Sequence, residues 1–404
     1  LNGEIKKVKG VLPIVQEAAK SGIRRVVVPG ENAMEAAVIP GITVWGVNCL
    51  NDLLAALNHP ELETEKVYQP RIRAEDLLRE GTGQDTGDFR EVAGQENAKR
   101  GAEIAAAGFH NLLMIGPPGV GKSMVAGRIP GILPPLTLKE SLEVTGIFSV
   151  AGLLPPGQAL ITRRPFYAPH HTVTQAALIG GGSGIPRPGM VSLAHRGVLF
   201  LDELPEFRKN VLDGMRQPME ERKVQIARSA GMVTYPSDFI LVAAMNPCPC
   251  GYYPDRNKCR CTQPQIEKYL GKISGPILDR IDLCVELHPV DILHLQKTKT
   301  EKSSEDMKRQ IRHARERQAE RFAGTDCRFN GDIRSAQVEE YCPLGEEGQK
   351  VMEQLYRTLQ LSARVYHRIL KTARTIADLE DREEITGEHL LEAACYRPSE
   401  TYWN

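Results

Sequence analysis

Residues Gly116 to Ser123 read GPPGVGKS. The apolar run from Asn111 to Ile115 precedes them, and Met124 to Ala126 follow with helical character. This order predicts a strand, a glycine-rich loop and a helix, in which backbone N–H groups and the positive end of the helix dipole surround a phosphate chain. A surface turn is the alternative interpretation of so short a pattern, and the flanking strand and helix argue against it.

The loop also carries two side chains with predicted roles. Lys122 is expected to reach the outer phosphates of a nucleotide, and the Ser123 hydroxyl is expected to ligate Mg²⁺. The predicted nucleotide-binding residues of the loop are Gly116, Pro117, Pro118, Gly119, Val120, Gly121, Lys122 and Ser123. ATP and Mg²⁺ are the expected cofactors.

A second motif, Gly197 to Glu203, reads GVLFLDE. Apolar residues followed by two acids predict a buried parallel strand that presents carboxylates at its C-terminal edge, where ligands bind in such sheets. Asp202 is predicted to hold Mg²⁺ through water, and Glu203 to polarise an attacking water molecule. Solvated surface charge is the alternative, and the position of the acids downstream of a phosphate loop disfavours it.

A third apolar segment, Phe239 to Met245, ends in Asn246 and Pro247. A polar residue at the end of that strand is predicted to orient a water molecule between Glu203 and the terminal phosphate. An asparagine that simply opens a turn before proline is the local alternative.

The composition limits the kind of protein. The 404 residues suffice for two or three domains, and 41% hydrophobic with 25% charged residues is ordinary for a globular chain. Lys and Arg total 51, as do Asp and Glu, so a polyanion must bind at a local patch or an assembled ring. No apolar run approaches membrane-spanning length and the start is not a signal peptide, so no membrane contact is expected. The odd number of cysteines and the crowding of four of them predict a protein of the reducing cytoplasm and not a secreted disulfide framework.

Four of the nine cysteines fall in one short segment. The two C-x-C pairs are Cys248 with Cys250 and Cys259 with Cys261, and they enclose a loop rich in turn residues. Four thiolates at the ends of a loop suit tetrahedral Zn²⁺, although C-x-x-C spacing is more usual. A redox-sensitive pair and unligated cysteines are the alternatives, and the spacing does not decide among them.

The order of these motifs resembles that of AAA+ ATPases. The segment that begins at Asp88, DFREVAGQENAKRGAEIAAAG, is similar to the entry that flanks the adenine in this family, and Asn246 matches the family's sensor-1 position. The resemblance implies an α/β fold with an AAA+ P-loop NTPase core.

Eighty positions separate Lys122 from Asp202, more than one helix and one strand require. The intervening RPFYAPHHT, GGG and RPG, followed by SLAHRGVLFLDELPEF, resemble the helix-2 insert of magnesium-chelatase-like proteins. Arg280, in the sequence DRID, then matches the arginine finger of this group, and Arg364 matches its sensor-2 arginine. A finger acts on a neighbouring subunit, which implies an oligomer. An ordinary arginine paired with Asp279 or Asp282 is the alternative for Arg280.

A hairpin is predicted just before the Asn246 strand, from alternating residues at 224–227 and 232–235 around a Ser-Ala-Gly turn. Related hexamers line their central pore with such hairpins, which implies possible phosphate contacts from basic residues there and in the insert. These residues are Arg163, Arg164, Arg222, Lys223 and Arg228. A solvated hairpin with ordinary surface charge is the alternative. His170 and His171 are adjacent, so a shared metal is disfavoured and packing or polar roles are expected.

The first sixty residues alternate between helix and strand patterns, which predicts a small α/β unit. The stretch GVLPIVQEAAKSGIRRVVVPGENAMEAA resembles the C-terminal half of the Lon-type protease domain. Leu12 and Ile14 stand near that family's catalytic lysine and are not bases, and its serine would lie upstream of Leu1. The expectation is a partial, non-catalytic Lon-like domain in a chain that begins inside a domain.

The predicted organisation is a Lon-like piece over 1–60, a linker over 61–87, the AAA+ core with its insert over 88–295 and a helical lid over 296–404. Asp306 to Phe322 predicts a solvated connecting helix, because charged residues dominate it. Thr386 with Glu388 predicts a helix start before the last leucine run.

Over nearly its full length the chain resembles the ComM/YifB branch of magnesium-chelatase-like AAA+ ATPases. That resemblance implies a cytoplasmic, hexameric, ATP-driven motor that acts on single-stranded or branched DNA, with branch migration in natural transformation as the implied activity. A magnesium-chelatase-type motor subunit or another ATP-dependent remodelling factor is the alternative. A Lon-type protease is disfavoured, because its serine and lysine are missing.

Overall fold

The computed structural model describes residues 3–81, 87–182, 186–228, 231–290, 302–397 and 402. The predicted domain boundary at 295/296, the hairpin turn at Ser229 and Ala230, and the side chain of Arg228 lie outside the described residues. Within the described parts, every helix is too short or too polar to cross a membrane.

The N-terminal unit is an α/β unit, as the alternation of patterns predicted. Strands β1 and β2 pair in parallel, from Arg25 opposite Thr43 to Pro29 opposite Val47. Leu12 is fully buried in the core of this unit, whereas Ile14 is exposed. The elements are α1 (Val11–Lys20), β1 (Arg25–Pro29), α2 (Ala33–Ala36), β2 (Thr43–Val47), α3 (Leu50–Asn58), α4 (Glu63–Lys66) and α5 (Ala74–Glu80).

The prediction of a linker over 61–87 is wrong for its described part, residues 61–81. Tyr68 exchanges two backbone hydrogen bonds with Gly46 of β2, at 2.8 and 2.9 Å. In α5, Ala74, Leu77 and Leu78 pack into the same core as α1. The apolar residues of this segment recur at helical spacing among charged neighbours, so its average polarity concealed the packed face.

The predicted strand, loop and helix around GPPGVGKS are present. Helix α6 (Glu96–Gly108) leads into strand β3 (Leu112–Ile115), and helix α7 (Lys122–Ile132) starts inside the loop motif. Leu112 and Met114 pack into one hydrophobic core, and Leu113 and Ile115 pack into a second core on the other face of the sheet. This alternation is the two-residue period of a strand buried on both faces.

The insert between α7 and the acidic motif consists of one long helix and several short elements. Its main helix is α8 (Leu138–Ala151), which Thr137 and Glu140 begin with a capping box. The remaining elements are β4 (Phe166–Tyr167), α9 (Gln175–Ile179), β5 (Gly180–Gly181), β6 (Arg187–Pro188) and α10 (Met190–Leu193). Helix α8 also packs against α1, which joins the insert to the N-terminal unit.

The second half of the core supplies the remaining strands of the central sheet. The predicted hairpin is present as an antiparallel pair, β8 with β9, immediately before β10. The elements are β7 (Val198–Leu201), α11 (Lys209–Gly214), α12 (Arg216–Glu221), β8 (Lys223–Arg228), β9 (Gly231–Pro236), β10 (Ile240–Met245), α13 (Gln263–Leu270), α14 (Gly275–Leu278) and β11 (Leu283–Glu286).

The central sheet has five parallel strands in the order β11-β3-β10-β7-β4. In the middle of the sheet, Ala243 of β10 lies opposite both Leu113 of β3 and Leu201 of β7. Parallel strands end at the same edge, so the segments that follow β3, β10 and β7 emerge side by side.

The C-terminal helical region, residues 302–397, packs on α6 and α7. Its helices are α15 (Ser304–Arg321), α16 (Val338–Tyr341), α17 (Glu346–Thr358), α18 (Ala363–Leu379) and α19 (Gly387–Cys395). The prediction that α15 is a solvated helix is wrong. It buries Met307, Ile311, Ala314 and Gln318, a helical stripe that the many charged residues between them concealed.

The predicted start of the last helix at Thr386 is confirmed, but its partner differs. The Thr386 hydroxyl accepts a hydrogen bond from the backbone N–H of His389, and His389 Nδ1 accepts one from the backbone N–H of Thr386 at 3.0 Å. The capping-box partner of Thr386 is therefore His389 and not Glu388, because the reciprocal bond requires the third helical position.

Candidate nucleotide-binding site

The order of the sheet places three predicted motifs next to one another. The phosphate loop follows β3, Asn246 follows β10, and Asp202 with Glu203 follows β7. Gly116 N–H donates to the carbonyl oxygen of Met245 at 3.2 Å, which ties the start of the loop to the end of the neighbouring strand. Asn246 thus lies between the loop and the acids.

Lys122 is held at the base of the loop. Its Nζ donates to the carbonyl oxygens of Gly116 at 2.6 Å and Pro117 at 2.9 Å, and to Asn246 Oδ1 at 3.0 Å. Burial lowers the pKa of Lys122, and the charges of Asp202 and Glu203 oppose that effect. The structure therefore fixes a cation between the loop, the Asn246 strand and the two acids.

Two glycines keep the loop open above Lys122. Gly119 and Gly121 have φ angles of 79° and 93°, a region that side chains with a Cβ rarely adopt. No atom lies within 4 Å of the position where a Cβ would stand on either residue. Open space, exposed backbone and the start of helix α7 form a cradle that suits the phosphates of a nucleotide.

Ser123 and Asp202, the two predicted magnesium ligands, are in contact. The Ser123 hydroxyl donates to Asp202 Oδ2 at 2.9 Å, which brings two oxygen ligands together at the mouth of the loop. A hydroxyl and a carboxylate are the hard oxygen donors that Mg²⁺ prefers beside phosphates. The donor set fits the metal that the sequence predicted.

Glu203 has an unusual backbone and an unforeseen partner. Its φ is 52°, and its backbone N–H donates to Asp202 Oδ1 at 2.9 Å. Its carboxylate Oε2 lies 3.2 Å from Nδ1 of His171, which comes from the insert. His170 instead pairs with Thr172 Oγ1 at 2.9 Å. The polar roles predicted for the two histidines fit these contacts, but their turn-rich sequence gave no sign of the link to Glu203.

Arg280 lies at the opposite edge of the sheet from the phosphate loop. The backbone carbonyl of Arg280 accepts a hydrogen bond from Asn111 Nδ2 at 2.7 Å, and Asn111 directly precedes β3. The four residues of β3 put about 13 Å between this edge and the loop. The guanidinium pairs with Glu220 of α12, and not with Asp279 or Asp282, the partners considered from the sequence.

Arg364 is placed close to Arg280 by a shared neighbour. Its guanidinium pairs with Asp279, and Arg368 Nη2 donates to the backbone carbonyl of Asp279 at 2.9 Å. The beginning of α18 therefore packs against the segment that carries Arg280. Neither predicted arginine contacts the phosphate loop of its own chain among the described residues.

Two of the residues predicted to contact phosphate form ion pairs within this chain. Arg164 donates to the carbonyl oxygens of Pro134 at 2.5 Å and Arg196 at 2.7 Å and pairs with Glu140, so it is committed to internal packing. Arg222 bonds Asp238 and Asp332, which fixes the start of the hairpin. Both guanidinium groups are therefore paired with carboxylates of this chain, Arg164 in a mostly buried position and Arg222 in a partly exposed one.

The remaining basic candidates are distributed differently. Lys223 is exposed on β8, and Arg163 is partly exposed, with its Nε bonded to the carbonyl of Gly81 at 3.3 Å. These two stay candidates for a phosphate contact.

A buried ion network that the sequence did not reveal surrounds Asp238. This carboxylate, only 7% exposed, pairs with Arg196 at 2.7 Å, with Arg222 at 3.1 Å and with Arg328. Arg196 continues the network to Glu143 of α8 at 2.8 Å. The network therefore connects the insert, the hairpin and the C-terminal helical region.

The four predicted cysteine ligands converge. The sulfur atoms of Cys248, Cys250, Cys259 and Cys261 all lie within 4.8 Å of one another. Cys248 and Cys259 are buried, and the other two are partly exposed. Among the described residues, this is the one group of three or more histidine, cysteine, aspartate or glutamate side chains close enough together to hold a metal ion.

Comparison with known proteins agrees with this architecture. Residues 88–295 match the family model described as magnesium chelatase, subunit ChlI, and residues 301–397 match the model of its C-terminal part. A protein named uncharacterized protein YifB from Salmonella typhimurium is 42% identical over 399 residues, which cover 98% of this chain and 75% of that protein.

Two further relatives carry more descriptive names. Competence protein ComM from Haemophilus influenzae is 40% identical over 406 residues, which cover 98% of this chain and 76% of that protein. The magnesium-chelatase 67 kDa subunit of Chlorobaculum parvum is 25% identical over 241 residues, which cover 55% of this chain and 34% of that protein. The chain belongs to the magnesium-chelatase-like AAA+ family, in the group that contains YifB and ComM.

Proposed function

We propose that the protein is a cytoplasmic ATP-hydrolysing motor that assembles into a hexameric ring and moves branched DNA. The observation that carries the enzymatic part is the meeting of Lys122, Asn246 and the Asp202–Glu203 pair at one edge of the sheet. A cation, a neutral polar group and two carboxylates in this order are the parts that phosphoryl transfer to water requires.

Each side chain has a separate task in this proposal. Lys122 binds the outer phosphates, and Ser123 and Asp202 hold Mg²⁺ between them. Glu203 accepts a proton from the attacking water molecule, and Asn246 orients that water. When bound, ATP with Mg²⁺ supplies the phosphoryl group and neutralises charge on its oxygens.

The oligomeric part is supported by the position of Arg280. It lies at the edge of the sheet away from its own phosphate loop, as the Asn111 contact shows. An arginine in that place stabilises charge at the loop of an adjacent subunit, and Arg364 accompanies it through Asp279. Closure of such head-to-tail contacts gives a ring, for which six subunits are proposed.

The DNA part rests on the relative named competence protein ComM and on the hairpin beside Asn246. Lys223 is exposed on β8, and Met232 on β9 is 67% exposed. A basic and an apolar side chain on one projecting hairpin suit the backbone and bases of single-stranded DNA. We include Zn²⁺ among the proposed cofactors, because the sulfur atoms of four cysteines lie within 4.8 Å of one another.

The experiment is ATP hydrolysis and strand displacement by the purified chain, with single-stranded, duplex and branched DNA. Branched or single-stranded DNA should accelerate hydrolysis, and the labelled junction should be resolved only with ATP. Glu203→Gln should bind nucleotide and lose hydrolysis by about 10²- to 10⁴-fold, and Glu206→Gln, three positions away, should stay active.

Two results would redirect the proposal. If DNA never changes the rate of hydrolysis and the junctions stay intact, the DNA motor is refuted. That result would favour a magnesium-chelatase-type subunit, since the chain is also similar to such a subunit. Normal hydrolysis by Glu203→Gln would refute the assignment of the base.

A further inference from the structure

We propose that the four-cysteine cluster, Cys248, Cys250, Cys259 and Cys261, binds one Zn²⁺ whose presence braces the phosphate loop and sets the rate of ATP hydrolysis. The metal site stands by itself on the positions of the sulfur atoms. Its effect on rate rests on the proposed ATP hydrolysis, so the two parts need separate measurements.

The sulfur positions fit a tetrahedral ion. Cys248 Sγ lies 3.3 Å from Cys250 Sγ and 3.7 Å from Cys259 Sγ, and Cys250 Sγ lies 3.5 Å from Cys259 Sγ. Four sulfurs about 2.3 Å from one Zn²⁺ in a tetrahedron stand about 3.8 Å apart. A disulfide requires about 2.05 Å between two sulfurs, and it would leave the other pair unexplained.

The segment that carries the cluster has no regular secondary structure. Residues 246–262 contain neither helix nor strand. Two short backbone turns present the thiols: Gly251 N–H donates to the carbonyl of Cys248 at 3.0 Å, and Cys259 N–H donates to that of Asp255 at 2.8 Å. A four-ligand metal is the cross-link that orders such a loop.

Along the chain, the cluster lies between Asn246 and the segment that carries Arg280. On one side Asn246, which bonds Lys122, is two residues before Cys248. On the other side helix α13 begins at Gln263, two residues after Cys261, and leads to the segment of Arg280. The metal would therefore fix the relative positions of Asn246 and α13.

A direct packing contact connects the cluster to the phosphate loop. Gly251 lies so close to Pro118 that a Cβ on Gly251 would stand 2.6 Å from Pro118 Cδ. Gly251 also has a φ of 87°, which a glycine adopts without strain. The cysteine loop thus supports the phosphate loop from behind, where loss of the metal would release it.

The first experiment measures metal and activity separately in the full chain. Purified protein should contain one Zn²⁺ per chain, and Co²⁺ exchanged into it should give the charge-transfer and d–d absorption of a tetrahedral four-thiolate site. The double variant Cys250→Ser with Cys261→Ser should lose the metal and hydrolyse ATP at least about tenfold more slowly. The variant Cys395→Ser, which changes an exposed cysteine outside the cluster, serves as the control and should keep both the metal and the rate of hydrolysis.

The second experiment tests the coupling with all four thiols retained. Gly251→Ala should keep its metal but hydrolyse ATP several-fold more slowly, because the new methyl group displaces Pro118. Gly324→Ala, at a φ of 78° with no atom within 4 Å of the new Cβ, is the matched control and should be unaffected.

The outcomes separate the parts of the inference. Zinc-supplemented protein without bound metal, or with a disulfide found by thiol titration, would refute the site whatever its ATPase activity. Metal-free variants that hydrolyse ATP normally would refute the coupling and leave the proposed ATPase intact. The double variant could also lose nucleotide binding together with the far-ultraviolet circular dichroism of a folded protein. The metal would then be required for the whole chain to fold, which would contradict a local effect on the phosphate loop.

Discussion

Nδ1 of His171 lies 3.2 Å from Oε2 of Glu203, so a side chain of the insert holds the carboxylate proposed as the catalytic base. Since the insert distinguishes this group from simpler ATPases, the contact is a physical route by which the insert can restrain hydrolysis. In the proposed mechanism, His171 would compete with the attacking water molecule for the carboxylate of Glu203.

Replacing His171 with alanine should therefore release Glu203. We expect ATP hydrolysis without DNA to rise about fivefold, which corresponds to the loss of a contact worth about 1 kcal/mol. Steady-state hydrolysis measures the change. His170→Ala is the control, since His170 pairs with Thr172 and not with Glu203. Equal rates in His171→Ala and the unaltered chain would contradict the restraint.

Arg280→Ala should bind nucleotide normally and lose at least about a hundredfold in hydrolysis, because the guanidinium is proposed to act on a neighbour. Mixing gives the sharper measurement. Neither Arg280→Ala nor Lys122→Ala should hydrolyse ATP alone, yet mixed oligomers should recover part of the rate. In those rings an intact loop faces an intact arginine. Mixtures without activity, in oligomers shown to exchange subunits, would argue against action between subunits.

Asp238→Asn should be strongly destabilising, since it leaves three arginines around a buried site without their shared carboxylate. The expected loss in the free energy of unfolding is about 3–5 kcal/mol, measured by denaturant unfolding. Asp381→Asn breaks the exposed pair with Arg317 and should cost no more than about 1 kcal/mol. Similar losses in the two variants would refute the buried network.

Glu143 should make the stability fall in acid. A hydrogen bond from His195 and the charge of Arg196 hold the pKa of Glu143 at about 2, below its usual 4.5, although burial opposes them. A lowered pKa in the folded state stabilises the protein above pH 4.5 and loses that contribution as the pH falls toward about 2. Glu143→Gln should thus be less stable at pH 7 and should lose less stability between pH 5 and pH 3. Parallel pH curves for the two proteins would contradict this role.

The sequence predicted the sheet and its edge well, for a physical reason. β3, β7 and β10 are continuous apolar runs, and the polar residue after each run had to appear at the same edge of a parallel sheet. The loop residues from Gly116 to Ser123 and the acid Asp202 were therefore identifiable before any coordinates.

Contacts between distant segments were not predictable in this way. His171 contacts Glu203 from a segment with little regular structure. Asp238 pairs with Arg196, which precedes it in the chain, and with Arg328, which lies 90 residues after it. Local patterns carry no information on such pairs. In α15, single apolar residues such as Met307 and Ile311 recur at helical spacing among many charges, which hid the buried stripe.

The ion pairs of Arg222 also have a mechanical consequence. This residue directly precedes strand β8, and its guanidinium pairs with both Asp238 of the core and Asp332 of the C-terminal helical region. A displacement of the C-terminal region relative to the core would therefore pass through these ion pairs to the start of the hairpin. The orientation of the hairpin would then change together with the position of the C-terminal region.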